Sequence, residues 1–138
     1  MRILSVDYGE ARTGIALSDY TRTIASPFAV LRERGVSALI DKIAQIAGEN
    51  QVTEIVVGYP LNMDGTVGEK SAKCERLAER LREKTALPVA LWDERLTTVE
   101  AYEILDGNKR KGKKKYARID AVAAAVILEG YMGTSARD

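Results

Sequence analysis

The sequence predicts a three-layer α/β domain built on a mixed five-stranded β-sheet. The first part of the chain holds short runs of aliphatic residues separated by turns, which is typical of antiparallel strands. The rest alternates helical and extended patterns, and helices between strands imply right-handed crossovers with parallel pairing. A sheet with an antiparallel half and a parallel half, flanked by helices, satisfies both observations.

Three extended segments open the chain. Arg2 to Asp7 and Gly14 to Ser18 flank a turn-like stretch, which predicts a hairpin. A third segment runs from Ile24 to Leu31. Pro27 falls near its start or at a sheet edge, where the missing N–H is tolerated. We therefore expect three antiparallel strands at the start of the fold.

Two helices and two strands are predicted next. Apolar residues recur at helical spacing from Val36 until about Gly48, and again around Cys74, the only cysteine, which we expect to be buried in the core. The β-branched run from Thr53 to Gly58 predicts a strand between these helices. A second strand, from Pro88 to Trp92, is expected to be buried.

The remaining third of the chain predicts two more helices. Thr97 and Glu100 have the spacing of a capping box, so a short helix is expected to run to about Leu105. A C-terminal helix, with Asp120 one turn from its start, is predicted from its apolar face. That face comprises Ile119, Val122, Ala123, Val126 and Ile127.

The composition indicates one folded domain spanning residues 1–138. Of these residues 46% are hydrophobic and 30% are charged, which is the profile of a globular protein. No stretch approaches the roughly 20 uninterrupted apolar residues of a membrane span. The N-terminus runs directly into a predicted strand instead of a signal peptide, so we expect a cytoplasmic protein with no membrane contact.

The chain has no histidine, and this absence narrows the chemistry. It excludes Ser/His/Asp and Cys/His nucleophilic machinery, histidine general bases and histidine-rich zinc sites. Any catalysis must therefore rest mainly on carboxylates, which prefer hard cations such as Mg²⁺ or Mn²⁺.

The net charge of +1 conceals one strongly basic segment between residues 108 and 118. This segment holds seven of the 21 basic residues and no acid, which leaves the remainder of the chain at −6. The concentration favours contact with a polyanion, although a solubilising surface loop explains many lysine runs. The basic residues are Lys109, Arg110, Lys111, Lys113, Lys114, Lys115 and Arg118.

Four acids stand where a site is expected. Asp7 closes the first predicted strand, Asp93 and Glu94 close the last, and Asp120 lies early in the C-terminal helix. If the first and last strands lie parallel in the sheet's centre, these acids converge. Carboxylates in one cleft repel each other unless cations neutralise them. Two cations roughly 3.5 to 4 Å apart would also activate water for phosphodiester cleavage.

Some polar residues near these strand ends allow two interpretations. Asn62, Asp64 and Gly65 fit an ordinary turn and a substrate-facing loop equally well. Thr98 is better explained as a helix cap. For Arg12, which follows the turn after Asp7, a plain surface charge is less favoured as an explanation, and a contact with nucleic acid is the alternative.

Four motifs in order and at matching spacing closely resemble the YqgF/RuvX family. They begin at Asp7 (DYGEARTGIA), Gly58 (GYPLNMDG), Asp93 (DERLTT) and Ile119 (IDAVAA). The resemblance implies an RNase H-like fold related to the RuvC resolvases, and a nuclease role in maturing the 5′ end of pre-16S ribosomal RNA. An older description of the family is Holliday junction resolvase. One departure from the family motif is Tyr59, because an aliphatic residue is expected before the proline. Its ring either stacks on a base of the nucleic acid or packs within the protein.

By position, the resemblance implies that Asp7, Glu94 and Asp120 are the catalytic and metal-binding acids, with Asp93 as a rival to Glu94. Arg12, Asn62 and the basic segment are expected to bind nucleic acid. The expected substrate is structured pre-rRNA. Four-way branched DNA is the alternative, and its cleavage usually requires a two-fold symmetric homodimer in place of a monomer.

Two other classes of function fit the sequence less well. A nucleic-acid-binding module without catalysis is disfavoured because all three acids are present. An ATP-dependent kinase of the actin and hexokinase type is remote, because that architecture needs two domains to clasp the nucleotide.

Overall fold

Five strands and three helices make up the part of the chain that the computed structural model describes, namely residues 1–62, 64–93 and 113–135, with side chains of the last helix described from 121 to 133. They are β1 (Arg2–Asp7), β2 (Thr13–Ser18), β3 (Ala25–Leu31), α1 (Val36–Glu49), β4 (Val52–Tyr59), α2 (Glu69–Thr85), β5 (Val89–Asp93) and α3 (Lys113–Ser135). The predicted order of these elements is confirmed. The helix predicted from Thr97 to about Leu105 lies outside the described residues.

The sheet is mixed, with strand order β3-β2-β1-β4-β5. β1 lies at its centre, antiparallel to β2, where Asp7 pairs with Gly14, and parallel to β4, where Val6 pairs with Val57. β5 pairs in parallel with β4. The antiparallel half therefore comes from consecutive hairpins and the parallel half from the helical crossovers, as the sequence predicts.

The two edge strands give one confirmation and two corrections. Pro27 lies in β3, an edge strand, as its missing N–H requires. β5 forms the other edge instead of lying in the centre of the sheet. Because it has a single neighbouring strand, β5 is buried only at Val89 and is half-buried from Ala90 to Asp93, so the prediction of a buried strand was wrong.

Helices cover both faces of the sheet. On one face, alternate side chains of β1 such as Leu4 and Val6 pack against α1 and α2 in a core that includes Cys74, which is buried as predicted. On the other face, Ile3 packs against α3. The three-layer arrangement predicted from the sequence is thereby confirmed, and each strand residue is assigned to a side by period-two alternation.

The last helix differs from the prediction in two respects. α3 begins at Lys113, so Asp120 lies about two turns from its start instead of one. From Ala121 to Leu128 all side chains are buried except that of Ala123, which is half-buried, so the helix is enclosed on more than the one predicted face. None of the helices in the described ranges combines the length and apolarity needed to cross a membrane.

α3 crosses β1 in the antiparallel sense. The hydroxyl of Ser5, which is fully buried, donates a hydrogen bond of 2.6 Å to the carbonyl oxygen of Ala124. Two turns later, the hydroxyl of Tyr131 donates to the carboxylate of Glu54, and Glu54 is level with Ile3 near the start of β1. α3 therefore approaches the end of β1 with its N-terminal half.

We expect the Ser5 hydrogen bond to stabilise the contact between β1 and α3. Ser5→Ala removes the donor and should lower the free energy of unfolding by about 1 kcal/mol. Ser26→Ala, on an exposed position of β3, is the matched control and should change it by less than about 0.5 kcal/mol. Urea denaturation measures both, and equal effects would contradict a specific role for Ser5.

The two glycines at the end of α3 should respond differently to alanine. A Cβ at Gly133 meets no atom within 4 Å, so Gly133→Ala should stabilise the helix by about 0.5 to 1 kcal/mol. A Cβ at Gly130 lies 3.1 Å from the indole of Trp92, so Gly130→Ala should gain less and displace that ring. Melting temperature and the fluorescence of Trp92, the sole tryptophan, test this, and equal stabilisation would refute the tight contact.

Candidate active site

The C-terminal ends of the parallel strands carry the predicted acids. Asp7 is the last residue of β1, and Asp93 is the last residue of β5. β4 lies between these strands, so their backbones are about 10 Å apart. Both acids therefore lie where the parallel strands end, which we call the C-terminal edge of the sheet. Their strands are not neighbours and do not both lie at the centre, although convergence of the acids was expected to require a central position for both.

Strand alternation assigns Asp7 and Asp93 to opposite faces. Asp7 follows Ser5 by two residues and therefore lies on the α3 side of the sheet. Leu91 packs into the core beneath α1 and α2, whereas Trp92 packs on the α3 side. Asp93 has the parity of Leu91, so it lies on the α1 and α2 side. Both carboxylates have interactions within the protein.

The backbone of α3 brings Asp120 towards the edge that holds Asp7. Asp120 precedes Ala124 by about one turn, and Ala124 is bonded to Ser5. Because helix and strand run antiparallel, moving from Ala124 to Asp120 and from Ser5 to Asp7 leads in the same direction. The side chain of Asp120 and all of Glu94 lie outside the described parts. Within the described parts, no three carboxylate or thiol side chains form a group that could hold a metal ion.

The turn after β1 is tightly built. A Cβ at Gly9 would lie 2.3 Å from the carbonyl oxygen of Arg12, so only glycine fits there. Glu10 forms an ion pair with Lys73 of α2, and the hydrogen bond from Lys73 lowers the pKa of the Glu10 carboxyl. Arg12 is exposed and has an interaction within the protein. The turn thus connects the end of β1 to α2.

The loop after β4 is a turn held together by its own side chains. The amide of Asn62 donates to the hydroxyl of Thr66 at 2.9 Å, and that hydroxyl donates to Asp64 at 2.6 Å. Gly65 has a φ of +88°, a conformation that favours glycine. The turn interpretation therefore accounts for all three residues, and contact between Asn62 and nucleic acid stays a prediction.

Tyr59, the departure from the family motif, packs. Its ring lies against the core beneath α1 and α2, and its hydroxyl donates a 2.6 Å hydrogen bond to Glu75. That hydrogen bond, followed by desolvation, raises the pKa of Tyr59 to about 12. The structure accounts for this residue without a stacked base.

The basic segment is partly helical. The backbone at Lys113, Lys114, Lys115 and Arg118 forms the first turns of α3, whereas Lys109, Arg110 and Lys111 lie outside the described parts. Lys113 is eleven residues before Ala124, or about 16 Å along the helix axis. Its backbone therefore extends beyond the level of Ser5 in the direction of the edge that carries Asp7.

One buried residue of this region was not singled out from the sequence, namely Ser5. It appears there as a small polar residue inside an apolar strand, and only the pairing with Ala124 reveals that it anchors α3. The basic residues on the outer side of α2 were likewise not singled out from the sequence.

The mixed sheet, its strand order and the flanking helices define an RNase H-like nuclease fold. The solved structure of Thermus thermophilus RuvC superposes with a TM-score of 0.65 over 98% of this chain and 97% of that one, at 10% sequence identity. The chain belongs to the RuvX family, described as Holliday junction resolvase, whose profile matches residues 1–134.

Two relatives agree with this assignment along nearly their whole length. A protein of Lachnospira eligens is 48% identical over 137 residues, covering 96% of each chain. A protein of Desulforamulus reducens is 41% identical over 138 residues, covering 99% of this chain and 100% of that one. Both carry the name "Putative pre-16S rRNA nuclease". The chain is accordingly a nuclease, a hydrolase of phosphodiester bonds, and its family implies the use of divalent metal ions in general.

Proposed function

We propose that this protein cleaves the 5′ leader of pre-16S ribosomal RNA as a single-domain cytoplasmic nuclease, with Asp7, Glu94 and Asp120 as its catalytic acids. The position of Asp7 is the main structural support for this site. It ends the central strand on the α3 side, towards the edge that α3 approaches with its N-terminal half. The names of the relatives support the substrate.

Alternation in β5 argues against Asp93 as the third acid and so favours its rival, Glu94. Asp93 lies on the opposite face of the sheet from Asp7, by the parity of Leu91 and Trp92. A ligand shared with Asp7 must come from the α3 side. The other acid of the Asp93 motif is Glu94, the residue that the family resemblance assigns to the site.

The donor chemistry fits Mg²⁺ or Mn²⁺. Asp7 offers a half-buried carboxylate, and the proposed partners add only carboxylates, the ligands that hard cations prefer. When bound, two such cations supply activation of a water molecule and stabilisation of the leaving oxygen. Asp7, Glu94 and Asp120 would hold them, while the basic segment grips phosphate oxygens and sets the register of the RNA.

A second candidate keeps the chemistry and changes the substrate to four-way DNA junctions. The description of the RuvX family favours it. This alternative requires two active sites related by a two-fold axis, because two strands must be cut. A monomer suffices for a single cut in RNA.

Substitution of the acids should separate catalysis from folding. Asp7→Asn, Glu94→Gln and Asp120→Asn should each reduce cleavage by at least about 100-fold, because each removes a charged metal ligand. Asp93→Asn is the matched control and should retain activity within about threefold. Single-turnover cleavage with Mn²⁺ measures the rates, and circular dichroism verifies folding. Full activity of the Asp7 or Asp120 variant would refute the assignment, and loss in Asp93→Asn with full activity in Glu94→Gln would exchange the two roles.

The substrate can be decided by direct comparison. Purified protein should cut precursor ribosomal RNA with Mg²⁺ or Mn²⁺, lose activity in chelator, and leave a synthetic four-way junction intact. Asp7→Asn serves as the control for contaminating nucleases. Sedimentation at the assay concentration gives the oligomeric state. Junction cleavage by a dimer, with RNA left uncut, would establish the second candidate instead.

A further inference from the structure

A groove runs along the sheet's C-terminal edge on the side away from α3. Three adjoining depressions, the largest of about 440 Å³, share Tyr8 and Lys73 among their lining residues. They extend from the turn after β1 over the start of α1 and along α2. We call this feature the α2 groove and define it by Tyr8, Lys73, Arg76 and Arg80.

The cations of the α2 groove lie on one flank of a helix. Lys73, Arg76 and Arg80 are spaced by three and four residues, which places them above one another on α2. Arg76 and Arg80 are exposed. Arg80 donates a 2.9 Å hydrogen bond to the hydroxyl of Ser37 in α1, so this flank faces the junction between the two helices.

Three acids line the α2 groove, and two of them lie within ion-pair distance of Lys73, whereas the third, Glu33, lies just before α1. Glu10 forms an ion pair with Lys73, and Glu69 lies 4.0 Å from the same ammonium group. Among the described residues, neither Arg76 nor Arg80 has a carboxylate within ion-pair distance. Within the described parts, both guanidinium groups therefore lack a carboxylate partner, and their planar donors suit phosphate oxygens.

The α2 groove begins next to the proposed catalytic edge. Tyr8 directly follows Asp7, and its ring packs on the α1 and α2 side, whereas Asp7 belongs to the α3 side. The basic start of α3 and the cations of α2 thus belong to opposite faces of the sheet, with the end of β1 between them. A strand that crosses Asp7 can reach both.

We propose that the α2 groove binds the phosphate backbone of the RNA substrate beyond the cleaved bond, with Arg76 and Arg80 as its phosphate contacts and Tyr8 as its floor. This inference rests on the proposed function for the identity of the substrate. In this proposal the RNA contacts the basic segment on one side of Asp7 and the α2 groove on the other. Phosphate contacts of this kind position a substrate and carry no sequence preference.

The test measures RNA binding separately from cleavage. Binding of a fluorescent RNA hairpin with a single-stranded 5′ leader is followed by anisotropy in the Asp7→Asn background, which keeps the RNA intact. Adding Arg76→Ala should weaken binding about three- to tenfold and lower the slope of log Kd against log salt by about one. Arg76→Ala with Arg80→Ala should lower that slope by about two. Arg76→Lys should restore most of the salt dependence.

Lys42→Ala is the matched control, because Lys42 is an exposed cation of α1 that does not line the groove. It should leave both affinity and slope within error. Unchanged binding in the double variant overturns the inference even if the wild-type protein cleaves RNA. Groove-dependent binding without wild-type cleavage overturns the proposed function and keeps the inference. Weakened binding to a four-way junction, with RNA binding unaffected, or no RNA binding at all, also overturns it.

Discussion

The arrangement of the site depends on the antiparallel crossing of α3 over β1. The buried hydrogen bond from Ser5 to the Ala124 carbonyl fixes that crossing at one level. From this level, two residues along the strand lead to Asp7 and one turn back along the helix leads to Asp120. Because a hydrogen bond has a narrow range of length, any sliding of α3 by a turn would break it and also separate the contact between Tyr131 and Glu54.

The sheet also separates the proposed metal-binding carboxylate from the α2 groove. Residues of odd number in β1 face α3, and those of even number face α1 and α2, so Asp7 and Tyr8 leave the strand in opposite directions. On one side lies the carboxylate proposed for metal binding. On the other lies a groove with two arginines that have no carboxylate partner among the described residues. Arg76 and Arg80, which we propose to bind phosphate, are thus on the opposite side of the sheet from Asp7, whereas the basic start of α3 shares the side of Asp7.

The sequence was sufficient for the fold class and for the order of the described elements along the chain, because these signals are local. Hairpins, helical spacing and Pro27 each report on their own segment, and the crossover rule then predicts parallel pairing for the later strands. The position of β5 in the sheet could not be predicted in this way. An edge strand and a central strand differ only in whether a second strand pairs with them, which is not a local property of the sequence. The buried Ser5 was missed for the same reason, since its partner is 119 residues away along the chain.

The choice between Asp93 and Glu94 shows where sequence and structure complement each other. The sequence shows that alternate residues of a strand face opposite sides of the sheet. It does not show which residues face α1 and α2 and which face α3. The contacts of β5 show which set faces which layer, because Leu91 packs beneath α1 and α2 whereas Trp92 packs against Gly130 of α3. Asp93 belongs to the set of Leu91, so it lies on the wrong side of the sheet to share a cation with Asp7. The family motif then offers the acid at the next position, Glu94, in its place.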